Sequence, residues 1–162
     1  MGSKPLLFLD VDGPLIPLAH RGADPHPAAA AAAARHGNPM LARVDPADGP
    51  RLLGLGCELV WATTWAADAN EVIGPLLGLP RLPVVAWSED DEVDPDGRHW
   101  KTKDIVAWAA GRPFVWVDDE ITAADRTFVA RHHTAPALLH RVMGRAGLTA
   151  ADFDAIRDWA AD

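Results

Sequence analysis

Five short apolar runs, separated by segments of helical character, constrain the fold of this chain more than any other feature of its sequence. Each run has the length of a β-strand and shows no helical period. Runs that are apolar on both faces are typical of a parallel sheet that helices cover on both sides. The five predicted strands are Pro5–Leu9, Glu58–Ala62, Pro83–Trp87, Phe114–Val117 and Ala137–Val142.

The segments between these runs carry start and stop signals for helices. Asp45-Pro46 is typical of a helix cap followed by proline at the first helical position. Thr122 and Thr149 each precede an aspartate by three residues, which is also typical of a helix start. The predicted helices run from Pro46 to about Gly54, from Trp65 to about Leu77, from Thr102 to Ala110, over about 123–131 and over about 150–161.

Strands that alternate with helices predict an α/β fold with a doubly wound, Rossmann-like parallel sheet of about five strands flanked by helices. The length of 162 residues favours a single domain that spans residues 1–162. The alanine run at residues 28–34 is interpreted as a short surface helix without a function of its own.

Composition narrows the classes of function. The formal net charge is −8 and no basic cluster stands out, so we expect no tight nucleic-acid binding. No stretch approaches the roughly 20 apolar residues of a membrane span, and the first apolar run is too short for a signal peptide. We therefore expect a cytoplasmic protein that does not associate with membranes, and we favour a monomer. The single Cys57 excludes an internal disulfide and is interpreted as a buried, inert thiol.

Polar side chains collect at one edge of the predicted sheet. Ligands of such sheets bind beyond the carboxyl ends of the strands, and several of these ends are followed by acids or threonines. Taken singly, each group also has an ordinary role as a helix cap or a solvated residue. The group comprises Asp10 and Asp12 after the first run, Thr63 and Thr64 after the second, Asp118 and Asp119 after the fourth, and Lys101 and Lys103 at the helix start before the fourth.

The spacing of the acids indicates a metal site. Asp10 and Asp12 lie two residues apart, so an extended backbone directs both side chains to one side and Val11 to the other. Asp118 adds a third carboxylate from a neighbouring strand. Clustered carboxylates repel one another unless a cation is present, and Mg²⁺ prefers such oxygens together with water and a substrate phosphate. Thr63 and a lysine would then supply a hydroxyl donor and a positive charge to the phosphate oxygens.

Four segments, in this order, resemble the haloacid dehalogenase-like (HAD) superfamily of phosphohydrolases. They are LLFLDVDG, ELVWATT, the lysine of HWKTKD, and FVWVDDE, and together they span residues 6–120. The resemblance implies a Mg²⁺-dependent phosphomonoester hydrolase that acts through an aspartyl-phosphate intermediate. Its substrate would be a phosphorylated small molecule or an exposed phosphate on a macromolecule.

The resemblance also implies a role for each matching acid. Asp10 would be the nucleophile. Asp12 would be the general acid for the leaving group and then the base for water, and phosphatases of this superfamily carry an aspartate at this second position. Asp10, the backbone carbonyl of Asp12 and the carboxylate of Asp118 would bind Mg²⁺. Asp119 would lie behind these ligands or bind the ion through a water molecule.

The phosphoryl group would be held by Thr63, with Thr64 as the alternative, and by a lysine. We select Lys101 because Thr102 would then cap the helix and leave Lys101 at its mouth. Lys103 remains the alternative. The intervals between the motifs leave room for a small cap domain or none, so we expect an open site.

Residues 14–27, which include His20, Arg21 and His26, are the predicted flap over this site. Trp65 and Trp100 adjoin the proposed site residues, and either pack in the core or stack on a base or sugar.

Two other classes of protein remain as alternatives. A signalling receiver domain also places acids, a threonine and a lysine on a parallel sheet, but in a different order along the chain. A HAD-like binding module without turnover would keep the fold and the ligand site. Measuring whether phosphate is released or retained separates a phosphatase from a receiver.

Overall fold

Four parallel strands form one sheet in this computed structural model, which describes residues 3–19, 22, 24–88 and 97–162. The strands are β1 (Leu6–Leu9), β2 (Glu58–Trp61), β3 (Phe114–Asp118) and β4 (Ala137–Arg141). Their order in the sheet is β2-β1-β3-β4, so β1 and β3 lie at the centre. The predicted α/β fold with a parallel sheet is confirmed, with four strands in place of about five.

The third apolar run, Pro83–Trp87, does not become a full strand. It meets β2 through one isolated bridge, in which the N–H of Trp61 donates to the carbonyl of Pro83 and the N–H of Val85 donates to the carbonyl of Trp61, both at 2.9 Å. Pro83 has no N–H to donate to a ladder, which confines prolines to sheet edges and strand starts. The run is therefore a short edge contact beside β2.

The helices are α1 (Pro27–His36), a 3₁₀ helix (Pro39–Arg43), α2 (Asp48–Leu53), a π-helical turn (Ala69–Ile73) that continues into α3 (Gly74–Leu77), α4 (Thr102–Ala109), α5 (Ala123–His132) and α6 (Ala150–Ala160). Most of them follow the predicted segments closely. The largest shift is in the helix predicted from Trp65, where the π-helical turn begins only at Ala69, after a turn in which Ala66 has a φ of +51°. Helix α2 begins two residues after Pro46, because the side chain of Asp45 accepts a hydrogen bond from the N–H of Ala47 and holds a turn there.

Helices cover both faces of the sheet, as the doubly wound prediction requires. On one face, α1, α2, α3 and α6 pack against Leu7, Leu9 and Trp61. On the other face, α4 and α5 pack against Phe8 and Trp116. The strands are buried on both sides, which explains why their sequences are continuously apolar instead of alternating. Among the described residues, no helix combines the length and apolar character needed to cross a membrane.

The first part of the predicted flap at residues 14–27 is packed against the end of the chain. The N–H of Leu18 donates to the carbonyl of Gly144 at 2.8 Å, and the N–H of Leu148 donates to the carbonyl of Pro14 at 2.9 Å. Of the side chains proposed for the flap, that of His26 accepts a hydrogen bond at the start of α1. His20 and Arg21 lie outside the described residues, and closure of this segment over the site stays a prediction.

Candidate active site

The register of the sheet brings Asp10 beside Asp118. Leu9, the last residue of β1, pairs with Val117 of β3, so the residues that follow each of them are neighbours across the two central strands. The N–H of Asp10 donates to the carbonyl of Val117 at 3.1 Å, which holds this alignment one residue beyond the end of β1. The two acids therefore meet at the carboxyl edge of the sheet, as predicted from sequence.

Lys101 bridges these two carboxylates. Its Nζ atom lies 3.1 Å from Oδ1 of Asp10 and 2.9 Å from Oδ2 of Asp118. Lys101 is only 4% exposed and lies directly before α4, whereas Lys103 is exposed on the first turn of that helix. Of the two lysines considered from sequence, the structure places Lys101 in the site. Thr102 does not cap the helix as expected; its hydroxyl donates to Asp125 at 2.6 Å.

Burial and crowding perturb the protonation of this group. The pKa of Asp10 is raised to about 7, first by burial and then by the charge of Asp118, although Lys101 acts in the opposite direction. The pKa of Asp119 is raised to about 6, again by burial and then by Asp118. Burial alone would lower the pKa of Lys101, but the two carboxylates outweigh it and raise that pKa. The cluster thus holds more carboxylate than Lys101 neutralises.

Oxygen atoms of Asp10, Asp118 and Asp119 all lie within 4.8 Å of one another. With these three carboxylates ionised, one ammonium group leaves a formal charge of −2, which a divalent cation would balance. Mg²⁺ prefers carboxylate oxygens with open positions for water and phosphate. The donor set and charge of this group therefore fit a magnesium ion, and these three residues are the ones that would hold it.

Asp12 is placed differently from its neighbour. Its side chain is exposed, and its Oδ2 atom accepts a hydrogen bond from Nε1 of Trp65 at 3.2 Å. The carboxylate trio is therefore completed by Asp119 and not by the side chain of Asp12. The chain turns directly after Asp12 at Gly13, whose φ is +102°, so the extended geometry assumed from sequence ends here. A Cβ atom at Gly13 would lie 2.6 Å from Cγ of Asp119, which leaves no room for a side chain.

Thr63 and Thr64 follow β2 in different environments. Thr63 is fully buried, and its Oγ1 atom accepts a hydrogen bond from the N–H of Trp65 at 3.2 Å, a bond that does not use the hydroxyl proton. Its carbonyl accepts a hydrogen bond from Nε1 of Trp87 at 3.0 Å. Thr64 is exposed. The fixed hydroxyl of Thr63 suits phosphate binding better, although that role stays a prediction.

A second group of possible metal ligands consists of His99, Asp118 and Glu120, and no motif in the sequence pointed to His99. Its Nε2 atom is 2.8 Å from Oε2 of Glu120, and Asp118 is near both. However, Nδ1 of His99 accepts a hydrogen bond from the N–H of Lys101 at 3.1 Å. Nδ1 is therefore unprotonated and the proton on Nε2 is donated to Glu120, which leaves neither nitrogen available to a metal. The hydrogen bonds of His99 to Glu120 and to the N–H of Lys101 therefore hold the backbone in place at Lys101.

Asp125 ties the start of α5 to the start of α4. It is fully buried, and its Oδ1 atom accepts hydrogen bonds from the N–H of His99 at 2.7 Å and from the hydroxyl of Thr102 at 2.6 Å. Its Oδ2 atom accepts from the N–H and hydroxyl of Thr122, as the capping pattern predicts. The residues on either side of Lys101 are thus held by one carboxylate. The sequence signal predicts the cap but not this second role, because the second role depends on how α4 packs on α5.

Asp125→Ala is expected to destabilise the protein by about 3 kcal/mol or more, because it leaves several buried donors without their charged acceptor. Asp152→Ala is a matched control, since Asp152 occupies the same position in the capping box of α6, is only partly buried, and makes one further side-chain contact, from its Oδ1 atom to Nε2 of His140 at 2.8 Å. Loss of that cap and that contact should cost about 1–2 kcal/mol. Denaturant unfolding monitored by circular dichroism measures both values. Equal losses would contradict the cross-link to α4.

The parallel sheet with Asp10, Lys101 and Asp118 at its carboxyl edge defines a member of the HAD-like superfamily, as the motifs indicated. More specifically, the sequence pattern of the family described as the HAD domain in Swiss Army Knife RNA repair proteins matches residues 6–153, and the chain belongs to this family. The match continues beyond Glu120 into α6, so the family includes the part of the chain in which no motif was recognised. Comparisons with curated proteins and with solved structures gave no match.

Proposed function

We propose that this protein is a Mg²⁺-dependent phosphomonoester hydrolase that forms an aspartyl-phosphate on Asp10. The observation that carries the proposal is the pair of short contacts from Lys101 to Asp10 and Asp118, at 3.1 and 2.9 Å, beside the carboxylate of Asp119. Membership of the HAD family supports a phosphohydrolase-type activity in general. The metal, the intermediate and the residue roles belong to the proposal.

In the first step, a carboxylate oxygen of Asp10 attacks phosphorus and the bond from phosphorus to the ester oxygen breaks. Asp12 donates its proton to that oxygen, so an alcohol leaves. In the second step, Asp12 takes a proton from water, whose oxygen attacks the phosphorus of the aspartyl-phosphate, and the bond from phosphorus to the Asp10 oxygen breaks. Inorganic phosphate is released and Asp10 and Asp12 return to their initial states.

Electrostatic stabilisation would come from the residues around Asp10. The ammonium group of Lys101 and the hydroxyl of Thr63 would contact the non-bridging phosphate oxygens, which carry the developing charge. When bound to Asp10, Asp118 and Asp119, Mg²⁺ would supply Lewis-acid charge stabilisation to the same oxygens. Burial of Lys101 would strengthen the attraction between its ammonium group and the phosphate oxygens, because charges interact more strongly where water is excluded.

The family description names RNA repair, which directs attention to phosphate esters related to RNA. A formal net charge of −8, however, predicts weak contact with a long polyanion. We therefore propose a small phosphate ester as the substrate, and not the end of a long RNA.

Removal of divalent cations is expected to abolish phosphate release, and added Mg²⁺ is expected to restore it, because the excess carboxylate charge would otherwise repel the substrate phosphate. Release of inorganic phosphate should be measured from p-nitrophenyl phosphate, nucleoside monophosphates and oligoribonucleotides with a terminal phosphate. Calcium, which is larger and binds with less regular geometry, is the control cation. Full turnover in excess chelator would refute the metal requirement.

Asp12→Asn is expected to slow hydrolysis of alkyl phosphates by about 10²–10⁴-fold, the usual contribution of a general acid. The first step with p-nitrophenyl phosphate should be affected much less, because its leaving group does not need a proton. Pre-steady-state release of p-nitrophenol isolates that step from hydrolysis of the intermediate. Similar losses in the first step for both classes of ester would contradict proton donation by Asp12.

The receiver-domain alternative has less support. The family match is to HAD domains, and the lysine precedes the last acids in the chain, contrary to the receiver order. A stable phosphorylated protein without released phosphate would favour the receiver, whereas saturable binding of phosphate esters without either product would favour a binding module.

A further inference from the structure

The geometry points to a nucleoside pocket beside Asp12, formed by Trp65 and the cavity that this indole lines, which receives the leaving group of the substrate. The inference rests on the proposed function, because it takes Asp12 as the general acid. It adds the chemical class of the leaving group, a single nucleoside, and the residues that select it.

The position of the pocket follows from the proton transfer. A general acid must come within hydrogen-bond distance of the oxygen it protonates, so the leaving group lies next to Asp12. Nε1 of Trp65 is 3.2 Å from Oδ2 of Asp12. Trp65 itself is fixed through its backbone N–H, which donates to Thr63 Oγ1. The indole is therefore held at the place where the organic part of the substrate leaves the reacting phosphorus.

Trp65 also lines a cavity of about 480 Å³ between the α1–3₁₀ segment and the π-helical turn. Pockets of this volume hold small organic ligands. Its polar lining consists of His36, Asn38, Asp68 and Glu71. His36, the last residue of α1, lines one side of the cavity.

The lining selects a neutral, aromatic leaving group that carries hydroxyl or amino groups. An indole offers a stacking surface for a base, and such stacking tolerates different bases because each has a π-face. The carboxylates of Asp68 and Glu71 and the amide of Asn38 accept hydrogen bonds from ribose hydroxyls and base amino groups. The same two carboxylates repel a second phosphate group. One nucleoside with one reacting phosphate meets these conditions.

The experiment compares hydrolysis of adenosine 5′-monophosphate, ribose 5-phosphate and adenosine 3′,5′-bisphosphate, all of which release the same type of 5′ alcohol. We expect kcat/KM for the monophosphate to exceed that for each of the other two by at least about tenfold. For ribose 5-phosphate, this factor corresponds to the usual free energy of stacking a base on an aromatic side chain. Equal kcat/KM for adenosine 5′-monophosphate and ribose 5-phosphate would overturn the nucleoside pocket.

Two variants test which residues cause the preference for adenosine 5′-monophosphate. Trp65→Ala should lower kcat/KM for the adenosine ester at least about fivefold more than for ribose 5-phosphate, because only the former loses stacking. The double variant Asp68→Lys with Glu71→Lys should reduce the preference for the monophosphate over the bisphosphate by at least about fivefold. Asp158→Lys, on the exposed side of α6 and outside the cavity lining, is the matched control and should leave the preference unchanged. Unchanged preferences in Trp65→Ala and in the double variant would overturn the assignment.

Failure of the proposed function would give results that differ from failure of the nucleoside pocket. No hydrolysis of any ester, p-nitrophenyl phosphate included, would overturn the phosphatase and with it the leaving-group role of the cavity. Calorimetry with adenosine tests the pocket separately from turnover. Saturable binding to the wild-type protein that is lost in Trp65→Ala supports a nucleoside site, whereas absence of binding together with equal rates for the two 5′-monophosphates overturns it.

Discussion

Asp10→Asn is expected to reduce phosphate release by at least about a thousandfold, because loss of a covalent nucleophile removes the reaction path and not only one interaction. The amide of asparagine is a poor nucleophile, yet it has nearly the shape of the carboxylate and its oxygen still accepts a hydrogen bond from Lys101. Phosphate release at saturating Mg²⁺ measures the effect. Retention of more than about a tenth of the rate would place the nucleophile elsewhere.

The control for correct folding of this variant is its stability against denaturant in the presence of a chelator. The pKa of Asp10 is about 7 in the folded protein and 3.8 without perturbation, so between these values the folded state binds more protons than the unfolded state. The wild-type protein should therefore lose stability as pH rises from about 4 to 7, and Asp10→Asn should lack this contribution. We expect the variant to unfold at the same or a higher denaturant concentration at pH 8. A marked loss of stability would mean that inactivity reflects unfolding.

Lys101→Ala is expected to lower turnover by at least about a hundredfold, whereas Lys103→Ala should stay within a few fold. Removal of one fixed electrostatic contact to a reacting group costs about 10²–10³ in rate. Lys101 contacts both Asp10 and Asp118, whereas Lys103 is exposed, and exposed substitutions usually have small effects. Steady-state kinetics with one substrate at several Mg²⁺ concentrations separates loss of rate from loss of metal binding.

The opposite pattern would transfer the role to Lys103 and leave the remaining mechanism in place. If neither substitution changed turnover, the assignment of the HWKTKD segment would be wrong. Lys101→Ala also removes the partner of two buried carboxylates, so its folding should be checked by circular dichroism with and without Mg²⁺. An unfolded variant can be replaced by Lys101→Gln, which retains a donor but not the charge, and the same loss of at least about a hundredfold is expected.

The parts of the site set by sheet register were predictable from sequence. Asp10 and Asp118 each come at the end of an uninterrupted apolar run, and the carboxyl ends of adjacent parallel strands lie at the same edge. The choice of Lys101 over Lys103 agrees with its placement, although the expected cap by Thr102 was wrong. The two lysines are two residues apart, which on a helix turns their side chains by about 200°, so only one of them is expected to face the site.

The parts that depend on packing between distant segments were not predictable. The side chain of Asp12 leaves the carboxylate cluster because it bonds to Trp65, 53 residues away. Asp125 joins two helices that the sequence treats as separate units. The run Pro83–Trp87 has strand-like composition, but its first residue lacks an N–H and only one bridge forms. Each case depends on a partner whose position the local pattern does not contain.

The hydrogen bonds that join the loop after β1 to the segment after β4 make the two ends of the fold interdependent. Leu18 and Pro14 lie just beyond Asp10 and Asp12 in the chain, and their backbone partners are Gly144 and Leu148. A Cβ atom at Gly144 would also lie 2.7 Å from Oδ2 of Asp119. A fragment that stopped at Glu120 would contain every recognised motif, yet it would lack the backbone that supports the turn after Asp12 and one wall around Asp119. Completeness of the motifs is thus a poor guide to the smallest functional piece of this chain.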